Sequence, residues 1–489
     1  MPAIIILMFL GLGMNGCYPH SVAKNDSIVQ PMSVFKAYDI RGLSPGEIDA
    51  PFAERLGRAI FAQLSPKRVL VGRDMRTTSL ELETALIRGL TENGVDVVRI
   101  GLCSTPMFNV LLGLADGSFD LGVMVTASHN PGKYNGFKVT LGNCLPIGQG
   151  NGMEELEKMF FDEASPLFAR RSDMPGTVTD DTTALNRYVA HILKLAKIPT
   201  DMPKMKIAID AGNGMGGAVL PRLLENLPWL EVDHLYLEPD GSFPNHEANP
   251  LKHETLTDLI GLVGRASCCM GVAFDGDADR VGFVDEKGEQ IPGDLLTALF
   301  AEEILETTPD ALVLYDVRSS WTVPEVIAEV GGHSDACKVG HANIKKMMRE
   351  RSAAFAGELS MHFYFHELWN CESGDLAMLL MLKLIHARQK PLSEIWKPLK
   401  RYAKSEEINF EVADPKAKIA ELKAAYAATA TAVSEIDGVR MEFRYPEDDS
   451  QNWWFSVRAS NTEPLLRLNV EAKTETMLMH RIEELRAKI

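Results

Sequence analysis

Along much of the chain, short apolar runs rich in β-branched residues alternate with stretches whose apolar positions recur every three to four residues. Residues 51–64 and 78–92 carry the helical spacing, and between them Arg68-Val69-Leu70-Val71-Gly72-Arg73-Asp74 reads as a short buried strand. Asp96 to Leu102 and Leu121 to Val125 predict two more strands. The order restarts at Lys206-Ile207-Ala208-Ile209-Asp210, where a glycine-rich turn (211–217) leads into a helix, and again at Ala311 to Asp316. Three α/β units in series are expected. Beyond about residue 402 the pattern changes. It predicts an alanine-rich helix over 416–435, strands at Arg440 to Tyr445, Trp453 to Arg458 and Leu465 to Glu471, and a closing helix. That is a smaller α+β domain with an antiparallel sheet. The glycine-rich turn alone is weak grounds for a dinucleotide site, so it is read as a tight strand-to-helix turn.

A chain of 489 residues has room for three or four domains. With 46% hydrophobic and 24% charged residues it has the balance of a globular protein, which excludes extended disorder. The formal charge of -17 argues against a nucleic-acid partner. An anionic small molecule would need a local basic cluster. Seven cysteines (Cys17, Cys103, Cys144, Cys268, Cys269, Cys337, Cys371) are scattered without a Cys-x-x-Cys pair. This fits neither a zinc framework nor a disulfide scaffold, and a reducing cytoplasm is the expected location. Residues 3–13 are apolar but too short to span a bilayer and lack the basic flank of a signal peptide, so no membrane association is expected. Residues 1–31 are read as an extension preceding a folded protein that starts at Met32.

Four short segments carry chemistry. Thr126-Ala127-Ser128-His129-Asn130-Pro131 follows directly on an apolar strand, where an α/β sheet presents reactive groups. It lacks the Gly-x-Ser-x-Gly of a serine-hydrolase elbow. In Asp275-Gly276-Asp277-Ala278-Asp279-Arg280, three alternating carboxylates suit a hard cation such as magnesium. An EF-hand loop is rejected, because Arg280 occupies the position that needs glycine and Val281 to Val284 reads as strand. Gly357-Glu358-Leu359-Ser360-Met361-His362 offers donors and acceptors for vicinal hydroxyls, although taken alone the segment is better read as a structural turn. Arg458-Ala459-Ser460-Asn461-Thr462-Glu463-Pro464 has the composition of a phosphate nest, or of a polar β-turn.

Taken together with Phe35 to Gly42 and Gly72-Arg73-Asp74, these segments resemble the α-D-phosphohexomutase family in order and spacing, from about residue 32 to the C-terminus. Within it the chain resembles the bacterial phosphomannomutase/phosphoglucomutase branch. The resemblance implies three related α/β domains with mixed sheets and a smaller C-terminal α+β domain around a central cleft. On this reading the domains span 32–176, 177–288, 289–401 and 402–489.

The same resemblance implies an enzyme that interconverts hexose 1-phosphates and hexose 6-phosphates. Ser128 would carry the phosphoryl group and bind Mg²⁺ together with Asp275, Asp277 and Asp279. A hexose 1,6-bisphosphate would serve as intermediate and activator. Arg41, His129, Lys138 and Arg280 would surround the serine, Lys138 acting as general acid/base should neighbouring cations lower its pKa. Glu358 and Ser360 would bind sugar hydroxyls, and Arg458, Ser460, Asn461 and Thr462 the non-reacting phosphate. Tyr38, Arg318, Lys338, His341 and His362 complete the expected substrate contacts. Small sugar phosphates are the expected partners, and a monomer or weak dimer the expected state.

Two residues depart from the family pattern: Met361 stands where glycine is expected, and Arg318 where lysine is expected. Met361 would either strain its loop or narrow the sugar site. Leu359, in place of glutamine, points away from the glucosamine-phosphate branch. A sugar-phosphate phosphatase with the same site, or a non-catalytic sensor, are the rival readings.

Overall fold

A computed structural model describes residues 33–162, 171–459 and 465–489. Three of its four sheets repeat one topological plan. In each, a central strand lies between two parallel neighbours, and one of these neighbours turns back through an antiparallel hairpin.

In the first sheet the central strand is Arg68–Arg73, flanked by Asp96–Leu102 and Leu121–Val125, and the hairpin runs from Leu121–Val125 to Tyr134–Leu141. Ile40–Leu43 and Val178–Asp180 complete its two edges. The second sheet is centred on Met205–Asp210, with Leu230–Leu235 and Met270–Phe274 beside it and a hairpin on to Val281–Asp285. The third is centred on Leu312–Asp316, between His333–Cys337 and Phe355–Gly357, with a hairpin on to Phe363–Phe365. The three hairpin loops hold Ser128, the Asp275–Asp279 run and the Glu358–His362 run. Recurrent topology therefore delivers three unrelated loops to equivalent places.

The three mixed sheets and the fourth, wholly antiparallel one match the expected α/β class. One apolar core runs unbroken through the first three units, from Val98 and Met107 past Ile207 and Leu296 to Trp396. The helix Gly374–Arg388 is apolar all round because it lies inside that core, with Leu376 to Leu382 all buried. The first unit keeps a second core on the other face of its sheet, around Leu56, Val71, Leu86 and Phe137.

The C-terminal sheet packs Trp453, Phe455 and Leu468 against the helices Pro415–Tyr426 and Glu475–Arg486. The alanine-rich helix ends at Tyr426 instead of continuing to 435, and Ala432–Ser434 forms an edge strand on Val439–Phe443. Alanine content gave a helical reading there, but β-branched Thr431 and Val433 lie in or beside the extended segment and pairing with a neighbouring strand prevails. No helix among the described residues is long and apolar enough to cross a membrane. The six cysteines among the described residues are all unpaired. Residues 1–31 lie outside the described residues, as do Ser460, Asn461 and Thr462.

Candidate functional site

Ser128 leaves its strand with φ +52°, a left-handed turn that a non-glycine residue adopts at a cost. Its Oγ donates to Asp275 Oδ2 at 3.0 Å and lies 3.2 Å from His129 Nδ1. Its N–H is capped by Thr126 Oγ1 at 3.0 Å. The serine is thus aimed at the second hairpin loop. Gly276 explains how closely the two loops approach, since a Cβ there would stand 2.5 Å from the Ser128 carbonyl oxygen.

Asp275, Asp277 and Asp279 are buried and each offers an oxygen within 4.8 Å of the others. Asp277 Oδ2 accepts from Thr105 Oγ1 at 2.6 Å and Lys138 Nζ at 2.7 Å, while buried Oδ1 has no hydrogen-bond partner among the described residues. Burial, reinforced by the charges of Asp279 and Asp277, pushes the Asp275 carboxyl well above the usual range. Asp279 moves the other way: burial opposes its charge, but Lys138 and His362 outweigh it and hold the carboxyl well below the usual range. Mutually repelling carboxylates around an unpartnered oxygen are a donor set that a hard divalent cation fits.

Lys138 departs from expectation. Its nearest charges are the carboxylates of Asp277 and Asp279, the latter at 2.6 Å, and not cations. Burial disfavours the ammonium, yet these carboxylates hold its pKa above the ordinary lysine value. His129 is driven well below the usual histidine range by burial and by Arg280 and Arg41. Arg41 itself donates to Asn130 Oδ1 at 2.9 Å and pairs with Asp39.

The third loop joins the second through Arg280, whose Nε is 3.1 Å from His362 Nε2 and whose N–H donates to Asp275 Oδ1 at 3.1 Å. Glu358 is buried. It accepts from Gly340 N–H at 2.9 Å, Tyr364 Oη at 3.0 Å and His362 Nδ1 at 3.0 Å. Burial opposes its charge, but His362 and Arg318 hold the carboxylate well below the usual range. For His362, burial and Arg280 act against protonation while Asp279 and Glu358 favour it, leaving a pKa of about 9. Ser360 Oγ is 3.1 Å from His362 Nδ1.

Met361 has φ +67°, the left-handed value for which glycine is suited. Its side chain enters the apolar core and does not narrow the site, so of the two expectations backbone strain holds and a narrowed sugar site does not.

Arg318 grips Asp316 through Nε at 3.0 Å and Nη2 at 2.8 Å, a fork that lysine could not make. It also lies 3.6 Å from Glu407, which takes Arg458 at 2.8 Å and Arg467 at 3.1 Å. Glu407 thereby ties the third unit's arginine to two from the C-terminal domain. Tyr38 donates to Val339 O at 2.9 Å and meets the His341 ring edge-on. Lys338 is exposed at the end of its strand.

Thr105, Glu407 and Tyr364 belong to this constellation but escaped the sequence reading, because each is singled out by a tertiary approach and none by a local motif. Thr105 had a partial signal: Ser104 caps a helix whose first residue, Thr105, donates its N–H to the Asp277 carbonyl at 2.9 Å.

Models of the phosphoglucomutase/phosphomannomutase family match the chain in sequence: alpha/beta/alpha domain I over residues 32–166, domain II over 186–288, domain III over 292–402 and the C-terminal domain over 407–488. The chain belongs to the phosphoglucomutase/phosphomannomutase family. A phosphomannomutase of Methanocaldococcus jannaschii is 38% identical, covering 93% of this chain and 97% of its own. A protein of Xanthomonas campestris named for phosphohexose mutases is 36% identical, covering 92% and 97%. Among solved structures, a phosphoglucomutase/phosphomannomutase family protein of Burkholderia thailandensis superposes with a TM-score of 0.82 at 33% identity, covering 93% of this chain and 96% of that one. The relatives are intramolecular phosphotransferases, in keeping with a site assembled around a serine and a buried acidic cluster.

Proposed function

We propose that this enzyme interconverts hexose 1-phosphate and hexose 6-phosphate, of mannose and/or glucose, through a phosphoserine at Ser128 and a hexose 1,6-bisphosphate. The observation that carries the reading is the 3.0 Å approach of Ser128 Oγ to Asp275 Oδ2, which sets the acceptor hydroxyl on the rim of the acidic cluster. Asp275, Asp277, Asp279 and Ser128 would hold Mg²⁺, which when bound supplies positive charge to the transferring phosphoryl group.

The remaining parts belong to the chain. Lys138 and Arg280 supply positive charge beside the reacting group. His129 Nδ1, 3.2 Å from Ser128 Oγ, is placed to exchange its proton. Glu358 and Ser360 face the sugar hydroxyls, backed by His362. Arg318 and Arg458 converge on Glu407 and form the cationic rim for the second phosphate, with Ser460, Asn461 and Thr462 following in sequence. Tyr38, His341 and Lys338 line the approach. The bisphosphate would turn over and present either phosphate to Ser128, so the distal site must accept both ends of the sugar.

The test is a coupled assay with Mg²⁺ and a trace of glucose 1,6-bisphosphate, comparing mannose 1-phosphate with glucose 1-phosphate. Formation of the 6-phosphate, abolished by EDTA, is the expected outcome and ranks the two sugars. Release of inorganic phosphate without isomerisation would replace the mutase with a sugar-phosphate phosphatase. Preference for glucosamine phosphate would move the chain to the phosphoglucosamine branch.

A further inference from the structure

At the C-terminal end of each central strand an aspartate (Asp74 just after the first strand, Asp210 and Asp316 as the last residues of the other two) begins a tight turn, and in all three the N–H two residues on donates to that carboxylate. The distances are 3.0 Å from Arg76 to Asp74, 2.8 Å from Gly212 to Asp210 and 2.7 Å from Arg318 to Asp316. The second unit makes the turn with glycine, so the turn itself has no need of an arginine side chain. In the third unit the arginine lies beside the carboxylates of Glu358 and Glu407. In the first it faces the main chain of the loop that carries Ser128.

The Arg76 side chain is wholly buried. Its Nη2 donates to Ser128 O at 2.7 Å and Asn130 O at 2.5 Å, and its Nη1 to Pro131 O at 2.9 Å and Tyr134 O at 2.8 Å. Its Nε donates to Asp74 Oδ2 at 3.2 Å, and the guanidinium lies over the Phe243 ring of the second unit, 5.2 Å from its centre. Five N–H donors therefore meet five acceptors, four of them carbonyls from one seven-residue stretch.

Two physical consequences follow. Carbonyl oxygens gathered on a buried cation cannot turn their negative ends towards a phosphoryl group on the serine. Because the peptide is trans, fixing the Ser128 carbonyl also directs the His129 N–H the opposite way. The left-handed turn at Ser128 costs on the order of 1 kcal/mol or more and persists only where its surroundings over-determine it. The hydrogen bonds from Arg76 to the loop's carbonyls, together with the Thr126 cap on the Ser128 N–H, over-determine it here.

We propose that Arg76 is a positioning residue for phosphoryl transfer, holding the Ser128 loop by its carbonyls in the conformation that presents Oγ to the acidic cluster. This rests on the phosphoserine reading above.

The experiment is rapid-quench transfer of label from phosphoenzyme, charged with glucose 1,6-[³²P]bisphosphate, to sugar monophosphate, alongside thermal melting. Arg76→Lys keeps the charge but offers three donors, too few for five acceptors. The expected result is a fall in transfer rate at saturating sugar of about 100-fold, the scale of a misplaced reacting group. KM should stay within about twofold, because the sugar contacts are untouched. A lowered melting temperature with the wild-type transfer rate would make Arg76 a structural support alone and overturn the proposal. Should Arg76→Lys not fold, Asp74→Asn decides, since its amide N–H₂ would oppose the Arg76 Nε–H. A loss of about tenfold is expected there, as for one misaligned charged hydrogen bond, and an unchanged rate overturns the proposal. A wild-type enzyme that takes no label on Ser128 would remove the phosphoserine reading and, with it, this inference.

Discussion

The Met361 thioether occupies the space beside Gly282 that a side chain there would need: a Cβ on Gly282 would lie 3.0 Å from Met361 Sδ. The departure from the family pattern at 361 is therefore accommodated inside the apolar core, beside Gly282. Met361→Gly removes a buried side chain worth about 2–3 kcal/mol and relieves about 1 kcal/mol of left-handed strain. The expected net effect is a loss of about 1–2 kcal/mol in urea unfolding, with the ratio of kcat/KM for mannose and glucose phosphates unchanged. A shifted ratio would show that the loop transmits the change to the sugar.

Ser128→Ala should lose nearly all turnover, about 10³-fold or more, as expected for removing the group on which the covalent step depends. Labelling from glucose 1,6-bisphosphate should vanish at the same time. Activity near wild type would take Ser128 out of its role.

Divalent metal should stabilise the fold through the acidic cluster. At about 100 times Kd the gain expected from linkage is about 2.7 kcal/mol, read as a rise in Tm when Mg²⁺ is added to EDTA-treated protein. Asp277→Asn should lose most of this gain, because it neutralises the carboxylate whose Oδ1 has no hydrogen-bond partner among the described residues. An equal rise in the variant would place the metal elsewhere.

Asp375 is buried and its carboxyl is pushed up to about 6, chiefly by burial, which the hydrogen bond from Tyr188 at 2.5 Å only partly offsets. A carboxyl raised in the folded state binds its proton more tightly there than in the unfolded chain. Its contribution to stability is therefore full at low pH and is lost as pH rises through about 6. Between pH 5 and 8 the wild type should lose about 1.4 kcal/mol relative to Asp375→Asn, one pKa unit's worth. A flat difference between the two denaturation curves would mean that the carboxyl is solvated.

The sequence made the architecture legible wherever period and burial agree. Runs such as Arg68 to Arg73 and Leu312 to Asp316 are apolar without alternation because they are central parallel strands, covered on both faces. The order of strands within a sheet is not written in such runs, and the mixed sheets came by resemblance. The site's motifs were legible because each is one short hairpin loop, where ligating groups must be contiguous. Arg76 and Glu407 were not, since an arginine after a strand or a glutamate before one acquires meaning only from what folds against it. The Asp-x-Arg spacing shared by Asp74-Met75-Arg76 and Asp316-Val317-Arg318 was visible, but the different partners of the two arginines, main-chain carbonyls for one and carboxylates for the other, were not.

The hairpin that carries the serine also sets a rule of parity. Val125 pairs with Phe137 and Met124 with Lys138, so adjacent residues of the return strand face opposite sides of the sheet, Phe137 the apolar layer and Lys138 the acidic cluster. A slip of one place would bury the ammonium in hydrocarbon and lay an aromatic ring over the carboxylates. The strand ladder thus acts as an odd–even check on the chemistry. Loop length between the strands can drift, but an out-of-step pairing is penalised during folding itself, long before any substrate arrives.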